Sequence, residues 1–207
     1  MAALSTFLHL IAPFAPGAPD PAMENAALQG AIEFCERTLT LQRKLATVLT
    51  VADQATYTLV QSGEVVHKLL GVKLNGKPLS LPVPADDDDE DASTASVLQP
   101  TAALLAAPMQ LRLDPPPALA DLPIVVRAAM RPSQAATSVA DELFERHARA
   151  IADFAAYWLL TQPETAYYNK GAAEVRFTAF EVAVGREKAR VLRANARSRS
   201  RPNVLWL

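Results

Sequence analysis

Cysteine is nearly absent. Cys35 stands alone, so no internal disulfide and no cysteine-built metal site can form, which suits assembly in a reducing compartment. Glycine is scarce, at 7 of 207 residues, and no G-x-G-x-x-G, Walker-type loop or G-x-S-x-G occurs. The nucleotide-cradling and serine-nucleophile classes therefore fail on motif, and no enzyme activity is expected. With 4 Tyr and 2 Trp, an aromatic-rich binding module is a poor fit. A long hydrophobic run is also missing. The apolar stretch 4–14 is far short of the roughly 20 residues a spanning helix needs, and no Lys or Arg precedes it as in a signal peptide. Pro13, Pro16, Pro19 and Pro21 break any helix continuing from it. This segment is expected to pack on its own domain or on a neighbouring subunit, and no membrane partner is expected. The net charge of −2 gives no whole-molecule attraction to nucleic acid or anionic lipid.

What the chain has in abundance is alanine, 39 residues, and leucine, 27, about a third of the whole. Between residues 24 and 45 there is no proline, and Leu28, Ile32, Cys35 and Leu39 recur on one helical stripe, widened by Ala31, Phe34, Leu41 and Leu45. A first long helix is predicted there, with Cys35 as a core residue rather than a nucleophile. Short β-type stretches follow at 47–51, 56–60 and 65–74, the last running into Asn75-Gly76, a strong hairpin signal. Residues 109–113 alternate, and 124–131 look like their partner across Pro115-Pro116-Pro117. Residues 101–107 suit a short helix or a strand equally well. A small antiparallel sheet is predicted. Beyond Pro132 the pattern turns helical again. Val139, Leu143, His147, Ala150, Ile151, Phe154 and Trp158 share one face, and Ala173, Phe177, Phe180, Val184 and Val191 mark a third helix over 165–195.

These patterns give an α+β fold, mainly α: a long-helix bundle with an inserted small antiparallel β domain and an extended C-terminal arm. The expected parts are an N-terminal segment 1–22, a helical domain of 23–46 with 133–195, an inserted β domain 47–132 and an arm 196–207. Within the β domain lies an acidic loop, 82–107, built around Asp86, Asp87, Asp88, Asp89, Glu90 and Asp91. Six consecutive acids repel one another and are read as a solvated loop. Their spacing offers neither the wrap nor the glycine of a calcium loop.

No constellation points to catalysis, a cofactor or a metal. His9, His67 and His147 fall on different elements, none with a ligand partner at metal spacing. His147, within an apolar stripe, reads as a core or interface histidine. Asp141 and Glu145 could suggest a dicarboxylate pair, but Arg149 four residues past Glu145 makes a surface ion pair the better reading. The one asymmetric feature is the end of the chain. Residues 186–207 carry seven basic side chains against Glu187 alone, then finish in Val204, Leu205, Trp206 and Leu207. Arg197, Arg199 and Arg201 alternate, so an extended chain would present them to one side, with the apolar end as an anchor beyond. Docking on a partner protein, on the chain's own domain, or on nucleic acid all remain open from these residues.

Three stretches in order carry a resemblance: AIEFCERT from Ala31, VKLNGKPL from Val72, and MRPS from Met130 leading into LFERHARAIA from Leu143. Together, over residues 20–195, the chain resembles the head-to-tail adaptor (connector) proteins of tailed bacteriophages. The acidic segment 86–107 departs from that pattern, and residues 1–19 lie outside it. The resemblance implies helices with an inserted β domain and assembly as a ring, commonly of twelve subunits. Such a ring sits in the virion neck, under the portal protein and above a tail nozzle or other tail component. Genome DNA would pass through its channel without sequence-specific contact. Arg197, Arg199, Arg201, Val204, Leu205, Trp206 and Leu207 would then bind the portal. The alternative is a DNA-binding accessory protein using the Arg-rich arm.

Overall fold

The computed structural model describes residues 1–61, 63–81 and 99–196. The chain divides into two compact units: Met1–Thr40 with the chain from Gln134 onward, and Leu41–Ser133. Of the described residues about 41% are helix and 27% strand, so the fold is mixed α+β rather than mainly α. The reason lies in the middle of the chain, where nearly every short apolar alternation is a strand.

The first unit opens with β1 (Ala2–Ala3), a 3-10 turn (Leu4–Phe7) and the short α1 (Leu8–Ile11). β1 pairs antiparallel with β10 (Ser138–Val139), and Phe7 and Ile11 are fully buried. Phe7 meets Phe144 edge to face at 5.1 Å. Burying side chains of this size contributes about 1.5–3 kcal/mol each, so the N-terminal segment is held on its own unit. Phe14 extends the attachment, lying under the Arg176 and Arg149 guanidinium groups at 4.4 and 5.2 Å.

Helix α2 (Asp20–Thr38) begins after the extended Pro19, with Pro21 in its first turn. It ends well before residue 45. Leu39 takes the left-handed conformation and donates its N–H to Cys35, closing the helix, and Leu41 then starts the second unit. Leu41 and Leu45 are buried, but beside a strand rather than in a helical stripe. Helix α3 (Asp141–Leu160) and helix α4 (Lys170–Ala196) complete the unit. Small residues let α2 and α3 approach closely: a Cβ on Gly30 would stand 2.8 Å from the Ile151 carbonyl oxygen. Phe34 and Phe180 are fully buried at the centre, and Cys35, next to Phe34 in sequence, is buried as well.

The second unit is all β. Its five-stranded sheet centres on β9 (Pro123–Pro132), which pairs antiparallel with β2 (Gln42–Lys44), β3 (Val48–Leu49) and β5 (Glu64–Leu74). Ile124, Val126, Ala128 and Met130 alternate inward, as a sheet with one covered face requires. Strand β5 carries two bulges, at residues 67 and 70, and turns through Asn75 (φ 45°) and Gly76 (φ 78°) into β6 (Lys77–Pro78). A three-stranded sheet runs β4 (Thr56–Thr58), β8 (Gln110–Asp114), β7 (Ala102–Ala107).

Two expectations are corrected here. β8 pairs with β4 and β7 and not with β9, because the proline run 115–117 offers no N–H groups for a tight hairpin and carries the chain to the other sheet. Residues 102–107 form strand β7, so they do not belong to the acidic loop expected over 82–107; the six acids at 86–91 lie outside the described residues.

Candidate functional site

The residues expected to bind a partner, Arg197, Arg199, Arg201, Val204, Leu205, Trp206 and Leu207, all lie outside the described residues. The described surface that bears on partners is in the helical unit, around α3 and α4.

The chain between these helices is built by local hydrogen bonds. Thr161 Oγ1 donates to the Trp158 carbonyl at 2.9 Å, and Pro163 prevents the helix from continuing. Asn169 caps α4: its Oδ1 accepts the Ala172 N–H at 3.0 Å, while its own N–H reaches back to the Leu160 carbonyl at 3.1 Å. Helix α4 thus starts at Lys170 rather than 165. The turn leaves a groove of about 430 Å³ lined by Phe154, Tyr157, Trp158, Pro163, Phe177 and Glu33. Tyr157 and Phe177 stack at 4.8 Å, and Phe154 packs on Phe180 at 4.9 Å behind them. Trp158 is 42% exposed and Phe177 36%. Both fall on stripes that the sequence pattern assigns to the core; they stand at the rim because no described element covers that end of the unit.

On its other side α4 is apolar again. Val175, Val182 and Ala189 recur every seven residues, with Gly185 and Leu192 beside them, and Val182 and Leu192 are 49% and 69% exposed. The buried stripe of the same helix, Ala173, Phe180, Val184 and Val191, faces the opposite way. Such a two-faced helix has one partner inside its own unit and a second face with none among the described residues. The signal was available as a second 3.6-period series in α4, hidden behind the first.

Between α2, α3 and α4 runs a polar seam. Arg37 forks onto Glu181 with bonds of 2.5 and 2.7 Å and lies over the Phe180 ring. The hydrogen bond to Arg37 holds the Glu181 carboxyl below the usual carboxylate range. Further along, Glu187 is buried. Burial alone would push its carboxyl up, but hydrogen bonds from Arg190 and Thr40, with the nearby cations, outweigh that and hold it low. His147 stacks on Phe34 at 4.7 Å, its Nε2 3.7 Å from Glu187. Burial holds the imidazole below its ordinary value, partly offset by the Glu187 charge. Arg149 turns to Asp153, at 3.8 Å, and Arg176 meets the same carboxylate at 3.0 Å. The expected pairing of Arg149 with Glu145 thus gives way to Asp153, on the flank turned toward α4.

The charges of this seam pair across helices, as Arg37 with Glu181 and Arg176 with Asp153, and within them, as Arg190 with Glu187. Among the described residues no three His, Cys, Asp or Glu side chains converge as a metal cluster would require. No helix among them is long and apolar enough to cross a membrane. The arrangement is suited to holding rigid helices with an uncovered apolar face. No curated protein matches this chain. The model of one family does match, over residues 4–205, and so takes in both the N-terminal segment and the acidic stretch: the chain belongs to the SU10 adaptor protein family.

Proposed function

We propose that this protein is the head-to-tail adaptor of a phage neck, a structural protein of the virion. Copies form a ring under the portal, commonly twelve in related proteins. The ring joins the portal to a tail nozzle or other tail component and leaves a channel for DNA. The family match over nearly the whole chain carries this reading. The uncovered apolar face of α4 supports it, since a lone copy gains nothing from exposing Val182 and Leu192. The C-terminal arm grips the portal in this account. Arg197, Arg199 and Arg201 steer it toward an acidic groove, and Val204, Leu205, Trp206 and Leu207 bury beyond.

Addition of the purified protein to portal rings, followed by co-sedimentation at low and high salt, tests this. The protein should add to the rings and remain added when salt is raised. A DNA-binding accessory protein behaves otherwise: with about six phosphate contacts it loses on the order of 10³ in affinity between about 50 and 200 mM salt. Failure to add to portal rings at any protein concentration, with salt-sensitive DNA binding in its place, would overturn the adaptor reading.

A further inference from the structure

We propose that the outer face of α4 in one copy docks into the α3–α4 groove of the next copy. This rests on the adaptor reading, in which copies sit side by side, and it names the two surfaces that meet. The groove offers aromatic walls, Trp158, Tyr157 and Phe177, that are partly exposed with nothing described to cover them. The helix offers Val182 and Leu192 as projections. Gly185 and Ala189 between them let a facing surface come close.

Charge decides between the two ways these patches could pair. The outer face of α4 is flanked by exposed Arg186 and Arg193. The groove has Glu33 on its wall, and exposed Glu164 follows its lining residue Pro163. A two-fold contact sets like surface against like, placing basic flank on basic flank or acid on acid, at a cost. A head-to-tail contact sets the basic flank against the acidic rim. The two patches are also offset on the same helix: at 100° per residue Val182 is about 140° and Leu192 about 60° around from Phe177. Unlike patches offset from each other on one copy are what a closed ring of head-to-tail contacts requires. A site that bound its own kind by two-fold symmetry would stop at a dimer.

The test uses full-length protein carrying one new cysteine at a time, Ala189→Cys on the helix face or Thr161→Cys at the groove rim. Both positions spare the proposed anchors Leu192 and Trp158. After mild oxidation of the concentrated 1:1 mixture, the mixed disulfide dimer should exceed either homodimer about tenfold, because only unlike faces come within disulfide reach. Adding Leu192→Asp to the Ala189→Cys chain should abolish it. Adding Arg193→Glu should weaken it, and Glu164→Arg in the other chain should restore it. Homodimers equal to or above the mixed dimer overturn the head-to-tail pairing. So does a stronger linkage of Thr161→Cys to Asn203→Cys than to Ala189→Cys, which would put the C-terminal end in the groove. If native mass shows rings while the mixed linkage is absent, the pair of faces is wrong and the adaptor reading stands. Neither rings nor linkage, with or without portal, ends both.

Discussion

Gly30 and Gly185 are both helical glycines, and their surroundings predict opposite effects of the same substitution. A methyl group on Gly30 meets the Ile151 backbone carbonyl at 2.8 Å, so α2 and α3 must separate; at Gly185 it meets nothing within 4 Å. Gly30→Ala should therefore destabilise the protein by about 1–3 kcal/mol through overpacking. Gly185→Ala should stabilise it by about 0.5–1 kcal/mol through helix propensity. Urea midpoints of the two variants check this, and a gain at both positions would deny the close α2–α3 contact. At His147 the prediction is a pH slope. Burial lowers its folded pKa below that of the unfolded chain, so the unfolded state binds the proton first. Stability then rises with pH in this range and is lost as pH falls below about 6.5, until the folded histidine also protonates. Glu181 and Glu187, both held low, act at more acid pH: their contribution is present above about 4.3 and is lost as pH falls through their folded values. His147→Gln should flatten the stability profile between about pH 7 and pH 5 while leaving the more acid slope. An unchanged profile in that upper range would mean that His147 is not the titrating group.

At the scale of elements, α4 separates folding from assembly. Phe180 is fully buried on its inner side and Leu192 is exposed on its outer side. Phe180→Ala should cost about 3–5 kcal/mol of stability. Leu192→Asp should change stability by no more than about 0.5 kcal/mol and yet prevent addition to the ring. Equal losses of stability would mean that the outer face is covered within one copy. The inner stripe of α4 was legible from spacing alone, and so was the β5–β6 hairpin, because Asn75 and Gly76 are residues that tolerate positive φ. The end of α2 was not. Leu39 is an ordinary helix former, and only the pairing of Gln42 with Ala129 across the sheet reveals why the helix gives way there. The groove was hidden for the same kind of reason: periodicity places Trp158 and Phe177 on apolar stripes but does not say where the covering helix ends. Of the elements read from charge, the acids at 86–91 yield a prediction independent of geometry. Replacing all six by Ser and Asn should leave the melting temperature unchanged or slightly raised, since like-charge repulsion is removed. A drop of several degrees would show that they are paired in the fold.

For the whole molecule, the sequence order helix, strands, helices maps onto two units, with the chain leaving the helical one after Thr40 and returning at Gln134. The helical unit ties Arg37 to Glu181 and Arg190 to Glu187 and leaves part of its aromatics uncovered; the β unit is wound around a single central strand, β9, with a second small sheet. In the proposed assembly the ring sits on the portal and the arm grips it. Truncated Trp anchors commonly cost about 2 kcal/mol or more, roughly 30-fold in affinity, whereas exposed Arg pairs give about 1 kcal/mol or less. Deleting residues 202–207 should therefore leave the units folded but abolish stable addition to the portal even at low salt. An Arg197→Ala, Arg199→Ala, Arg201→Ala triple variant that fails where the truncated chain succeeds would make the arm an electrostatic device instead. The central claim, that this chain works as a ring of copies on a portal, is tested most directly by native mass measurement of the full-length protein mixed with purified portal rings. The account predicts a discrete complex whose added mass is a fixed multiple of the 22.3 kDa chain. Portal rings whose mass stays unchanged at every concentration of added protein would contradict it.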